Sequence, residues 1–383
     1  MKRSRWPPAQ ETALFLGTVG AFVLICPSAL AAGEPAQGPS DALFLAQIIV
    51  LLVVGRLLGE VMQRIGQPAV MGQLLAGILL GPSLFGALWP EAQHALFPSS
   101  HDQKSMLEAV SQLGILMLLL LTGMETDLRL VRKVGRAATS VSVTGIALPF
   151  MCGFALGQFL PEAMLPHPEQ RLVTSLFLGT ALSISSVKIV ALVVREMGFM
   201  RRNIGQVIVA SAIIDDTIGW VIIAMTFSLA LHGTLDAYGI GRSVLGTGVF
   251  LVASFTLGRR FVFLAIRWAN DTLISEVPVI TAILVIMGIM ALVTHLIGVH
   301  TVLGAFVAGI LVGQSPILTR HIEEQLRGLI VALFMPVFFG LAGLSADLTI
   351  LKNPDLAMLT IGLIAIASIG KFSGAFLGGS VGA

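Results

Sequence analysis

The feature that most limits what this chain can become is a succession of apolar stretches, each about twenty residues long, joined by short polar connections. A helix rises about 1.5 Å per residue, so a stretch of that length crosses the roughly 30 Å of hydrocarbon in a bilayer. Lipid offers no partner to a backbone N–H or C=O, so such stretches must close their hydrogen bonds within themselves, as helices do. About eleven spans are expected, beginning near Asp41, Gln67, Met106, Ala137, Leu172, Asn203, Gly241, Glu276, Thr301, Leu329 and Leu356. Composition agrees, with 56% hydrophobic and 11% charged residues and a mean hydropathy of +0.93. A net charge of +2 from 23 basic and 21 acidic residues gives no footprint for nucleic acid. Cys26 and Cys152 make neither a disulfide framework nor a metal-ligand set, so no metal and no cofactor is expected. The expected fold class is an all-α polytopic membrane protein.

Lys2, Arg3 and Arg5 precede an apolar stretch from Ala13 to Ile25, followed by Pro27 and the small-residue run Ala29-Leu30-Ala31-Ala32. That order reads as a signal peptide over residues 1–32, the other reading being an uncleaved signal anchor. The membrane domain then covers residues 41–383. With the mature N-terminus outside, alternate loops carry Arg64, then Arg129, Arg132, Lys133 and Arg136, then Arg195, Arg201 and Arg202, then Arg259, Arg260 and Arg267, then Arg320 and Arg327. The opposite loops carry only Lys104, Arg171, Arg242 and Lys352. The positive-inside rule makes the first set cytoplasmic, which puts the mature N-terminus in the periplasm of a bacterial inner membrane.

An internal repeat runs through the spans. Gly72 to Gly81 in the second has the pattern G-x-x-x-A-G-I-L-x-G, and Gly304 to Gly313 in the ninth repeats it. Leu121 to Leu128 ends the third span as L-x-G-x-x-x-D-L, and Leu341 to Leu348 ends the tenth likewise. Small-xxx-small patterns are common wherever membrane helices pack closely, but two echoes in the same order point to a repeat. On the topology above the second span runs outward and the ninth inward, so the repeats are inverted, the architecture of alternating-access transporters.

Asp215 and Asp216 stand deep within the sixth span, whereas nearly every other acidic residue falls in a loop or at a helix end. A charge at the bilayer centre costs about 2.5 to 3.5 kcal/mol, which argues against an idle pair. Carboxylates are hard oxygen ligands that take sodium, lithium or a proton. Successive helical positions point about 100° apart, so one aspartate can face a cavity while its neighbour seeks a partner on another helix. Lys371, between Gly370 and Phe372 in the eleventh span, is the leading partner; a lysine snorkelling to the interface is the other reading. Lys188 in the fifth span divides evenly between snorkelling and function. Ser183, Ser185 and Ser186 in the same span can satisfy backbone groups freed by a break in the helix, although serine in a membrane helix more often bonds its own preceding turn. Pro336 should kink the tenth span. His295 and His300 read as interfacial residues.

The run Gln67-Pro68-Ala69-Val70-Met71-Gly72-Gln73-Leu74-Leu75-Ala76-Gly77-Ile78-Leu79-Leu80-Gly81-Pro82-Ser83 resembles the second-span signature of the monovalent cation:proton antiporter-2 family. Leu303 to Gly309, Met335-Pro336-Val337-Phe338-Phe339 and the Asp215-Asp216 pair resemble that family's later motifs, in its order, from about Asp41 to the end of the chain. The resemblance implies an inverted-repeat sodium/proton antiporter-like fold with core and dimerisation domains, and a homodimer. It implies an exchange of protons for a monovalent cation, with Asp216 as the carrier, Asp215 paired with Lys371, and Ser183 to Ser186 in a broken helix beside them. A double aspartate is usual in electrogenic sodium/proton members, so it favours sodium or lithium over potassium. The family pattern has a small or apolar residue where this chain has Lys188.

The repeat places counterparts of the fifth and sixth spans roughly 220 to 230 positions later, beyond Ala383. The second repeat is therefore expected to be incomplete in this chain, as in a C-terminally truncated product, a fragment or half of a split protein. No cytosolic regulatory domain of the kind many family members carry is expected within it. A potassium/proton efflux protein, a sodium-coupled solute symporter and an inactive truncated transporter are the competing readings.

Overall fold

The computed structural model describes residues 40–126, 135–165, 168–185, 190, 194, 202–232, 237–272, 277–297, 300–315 and 320–382. The expected signal peptide, Ser186 and Lys188 lie outside the described residues, as does the side chain of Asp216.

Among the described residues the chain is helical and contains no strand. The longer helices are α1 (Asp41–Arg64), α2 (Ala69–Leu80), α3 (His101–Met124), α4 (Gly135–Phe159), α5 (Arg171–Ser183), α6 (Asn203–His232), α7 (Ala237–Ala253), α8 (Arg259–Thr272), α9 (Val277–Leu296), α10 (Thr301–Gly313), α11 (Arg320–Leu329), α12 (Met335–Leu344) and α13 (Pro354–Gly382), with the short helices Phe85–Leu88 and Pro90–Leu96 between α2 and α3. A π-helical turn, Ser254–Gly258, joins α7 to α8, and another, Ile330–Phe334, joins α11 to α12. Each joined pair is one span, so every span placed from the sequence has its helix. Among the described residues, eight of the spans are long and apolar enough to cross a membrane. The turn before Pro336 widens the helix where the proline cannot continue the hydrogen-bond ladder, which is where the sequence expects a kink.

The chain divides into two compact units. The first takes the described residues up to Leu118 together with Arg327–Lys352. Its core is built on Val50, Leu51, Leu96 and Leu107, with Leu341 and Leu344 packed against them. Small residues let the helices close on one another: a Cβ on Gly72 would strike the Leu58 backbone of α1, and one on Gly77 would strike the Gly340 carbonyl of α12. Beyond α2, the Ser83 hydroxyl donates to the Ala346 carbonyl (3.0 Å) and accepts from the Leu348 N–H (2.9 Å), tying down the chain after α12.

The second unit takes Leu119–Leu326 and Asn353–Ala383. Here α4 packs along α13, where the Thr144 hydroxyl donates to the Gly374 carbonyl (2.7 Å) and Gly370 lies against Pro149. On its other side α4 packs on α5 through Gly153 and Gly179. The outer face of α13 leaves Met358, Ile361, Ile364, Phe372 and Phe376 exposed, as a face turned to lipid would be. His300 caps α10, its Nδ1 accepting the Val302 N–H at 3.4 Å.

Candidate ion-binding site

Two helix interruptions build the site. The α5 helix stops at Ser183, and Ile184 continues in extended backbone at φ −76° and ψ 138°, which leaves the last carbonyls of α5 without intrahelical donors. In α4 the interruption is Pro149: lacking an N–H, it cannot bond the carbonyl one turn before it, that of Gly145. Both orphaned acceptors are met by one side chain. The Lys371 ammonium donates to the Gly145 carbonyl (3.2 Å), to the Ser183 carbonyl and to the Ser185 hydroxyl (2.8 Å). An ammonium has three protons, and these three oxygens take them all. A cation is favoured there in any case, because the C-terminal end of a helix carries a partial negative charge.

Asp215, on α6, is buried, and its Oδ1 accepts from the Ser142 hydroxyl of α4 at 2.6 Å. Asp215, Lys371 and Ser185 line one cavity of about 670 Å³, along with Gly145, Ser211 and Ser368. No carboxylate among the described residues forms an ion pair with Lys371; the lysine acts on Asp215 through its charge, from the wall of the same cavity. Behind the cavity, the Thr180 and Thr226 hydroxyls stand 3.3 Å apart and join α5 to α6. Gly219 of α6 leaves room for Ile184 at the break.

The structure thus gathers Asp215, Ser183, Ser185 and Lys371 of the residues singled out from sequence. Asp216 occupies the next position of α6. Sequence reasoning missed Ser142, Gly145 and Pro149. A signal for the last was present, since a proline inside an apolar span always frees a carbonyl one turn earlier. Nothing in the sequence marked Ser142 apart from the neighbouring Ser140 and Thr144. The arrangement suits exchange at a carboxylate: a buried acidic group in a largely apolar cavity with a few polar side chains, and a positive charge on the same wall that an entering cation must oppose.

The chain is similar to known cation/proton antiporters. The chain is 29% identical over 337 residues to the Na(+)/H(+) antiporter NhaS4 of Synechocystis, covering 88% of this chain and 81% of that protein. It is 29% identical to the Na(+)/H(+)-K(+) antiporter GerN of Bacillus cereus, over 84% of this chain and 77% of that protein. It is 28% identical to the K(+)/H(+) antiporter 1 of Saccharomyces cerevisiae, but spans only 36% of that longer protein. Likewise it spans 41% of the Cation/H(+) antiporter 19 of Arabidopsis thaliana. The fold is that of the sodium proton antiporter MjNhaP1 from Methanocaldococcus jannaschii, with a TM-score of 0.57 over 87% of this chain and 78% of that one at 16% identity. The family described as sodium/hydrogen exchanger, transmembrane, matches residues 14–382, a match that begins within the segment read as a signal peptide. The chain therefore belongs to the sodium/hydrogen exchanger family of membrane cation/proton antiporters.

Proposed function

We propose that this protein exchanges protons for sodium or lithium by alternating access, with Asp215 and Asp216 holding the ion or the proton in turn. The observation that carries the reading is the buried Asp215 carboxylate sharing a cavity with the Lys371 ammonium at the broken end of α5. Sodium entering the cavity meets carboxylate and hydroxyl oxygens, the hard ligands it prefers, and its charge opposes that of Lys371 and of any proton on the carboxylates. Protons leave as the cation arrives, and the reverse step resets the site. The arginine-rich loops support an orientation in a bacterial inner membrane with a periplasmic N-terminus. A homodimer, with one domain moving against a more static one, follows from the family resemblance.

A potassium/proton exchange is the second reading, favoured by the potassium named for GerN and for the yeast relative. Cation-induced dequenching of a pH-sensitive dye in everted vesicles tests both. Sodium, lithium and potassium are added in turn to vesicles holding the wild-type chain or Asp216→Asn. A sodium or lithium response that the variant lacks supports the proposal, and a response to potassium alone replaces it with the second reading. Silence from protein shown to be inserted sinks both.

A further inference from the structure

A second polar cavity in the same unit shares no lining residue with the first. It is partly open, with a volume of about 380 Å³, where the π-helical turn Ser254–Gly258 leads into α8, opposite the end of α10, and Arg259, Arg260, Gln314 and Ser315 line it together with Thr256, Phe263 and Leu311. In an α-helix neighbouring positions diverge by about 100°, yet after this turn both adjacent arginines reach the same cavity. Neither guanidinium has a carboxylate partner among the described residues. Across the cavity, Gln314 Nε2 and Ser315 Oγ are buried without a hydrogen-bond partner among the described residues, and Ser315 is only 8% exposed. Buried polar groups are seldom left so, and the two arginines, themselves exposed, add positive charge beside them.

We propose that this cavity binds a phosphate group. The four side chains supply two positive charges, an amide N–H and a hydroxyl, converging on one space. A carboxylate has two oxygens in a plane, whereas a phosphate spreads three or four oxygens and up to two negative charges in a tetrahedron, which is what such a set of donors can fill. Two sources share that chemistry, the headgroup of an anionic lipid and a soluble phosphate. A basic pocket between membrane helices at an arginine-rich end suits the first.

The test reads binding rather than transport, so it stands apart from the ion exchanged at Asp215. Inorganic phosphate is titrated calorimetrically into the full chain in uncharged detergent. Retention of phosphatidylglycerol is measured separately, after reconstitution in vesicles of mixed phosphatidylglycerol and phosphatidylcholine. Two variants are compared with wild type: Arg259→Gln with Arg260→Gln, and Ser315→Ala with Gln314→Leu. Both should weaken binding by roughly ten-fold or more, the second without any change of charge. Phosphate binding identifies a soluble ligand, and lipid retention without it identifies a headgroup; each supports the site. Binding of neither probe overturns it, as does binding that falls in the arginine variant alone and vanishes in high salt, which is diffuse attraction. A monodisperse elution profile checks folding, and the single Ser315→Ala change, which removes one hydroxyl, serves if the double variant misfolds.

Discussion

Gly77 and Gly343 meet backbone to backbone: a Cβ on Gly343 would stand 2.9 Å from the Gly77 Cα and would strike the Leu74 carbonyl oxygen. The same approach is made again by Gly309 and Gly123, where a Cβ on Gly123 would stand 2.9 Å from the Gly309 Cα and strike the Phe306 carbonyl oxygen. Leu74 precedes Gly77 by the same step as Phe306 precedes Gly309, so the partners correspond residue by residue. A further pair agrees, since Gly72 lies on the Leu58 backbone as Gly304 lies on that of Met290. What repeats along this chain is a set of helix pairings, and the glycine strings in the sequence are their trace. In lipid, where apolar surface gains little by leaving its solvent, such close backbone approach is what holds helices together.

Gly343→Ala should therefore destabilise the protein by about 1 to 3 kcal/mol, the usual cost of overpacking, because the atom it meets is backbone and cannot swing aside. Gly288 has nothing within 4 Å of its Cβ position, so Gly288→Ala should be neutral or slightly stabilising. Thermal unfolding of the two variants in detergent compares them directly. Equal losses of stability would mean that the close approach does not matter.

Ser142→Ala removes the hydroxyl that donates to Asp215 at 2.6 Å while leaving every charge in place. A hydrogen bond to a charged carboxylate is worth about 1.5 to 3 kcal/mol, so the half-saturating concentration of the exchanged cation should rise roughly ten-fold or more. Exchange itself should persist, since the carboxylates remain. The measurement is dye dequenching in vesicles across a range of concentrations of whichever monovalent cation the wild type exchanges, at fixed pH. An unchanged half-saturation point would show that Ser142 does not tune the ion-holding state of Asp215.

Much of this was legible in the sequence because it obeys length and periodicity. Stretches of about twenty apolar residues fix the spans, since lipid leaves the backbone no other choice. Asp215 and Lys371 were legible as charges where charge is costly. The break at Ser183 was foreshadowed by the family resemblance and, in the residues themselves, only by its serines, which more often sit in unbroken helices. Ser142 was not legible, because a hydroxyl in a membrane helix gains its meaning from the helix across from it. The π-helical turns themselves escaped sequence reading too, although Pro336 marked the place of one, since an added residue in a helix leaves no compositional mark. Their consequence is visible only in space, where Arg259 and Arg260 line one cavity.

Pro149 offers the sharpest test of how the lysine is held. Alanine at this position restores an N–H beneath the Gly145 carbonyl, so the backbone competes with Lys371 for that oxygen. Removing proline from a helix interior is favourable by up to about 3 kcal/mol, and Gly370 can still approach, so Pro149→Ala should not lower the unfolding temperature. Turnover should fall several-fold as the ammonium loses one of its three anchors. The assignment rests on coupling, which a double-mutant cycle measures. With Lys371→Ala in the background, the restored N–H fills an acceptor that nothing else satisfies, so Pro149→Ala should stabilise by at least about 0.5 kcal/mol more than it does in wild type. Strict additivity of the two substitutions would show that Lys371 gains nothing from the carbonyl that Pro149 sets free.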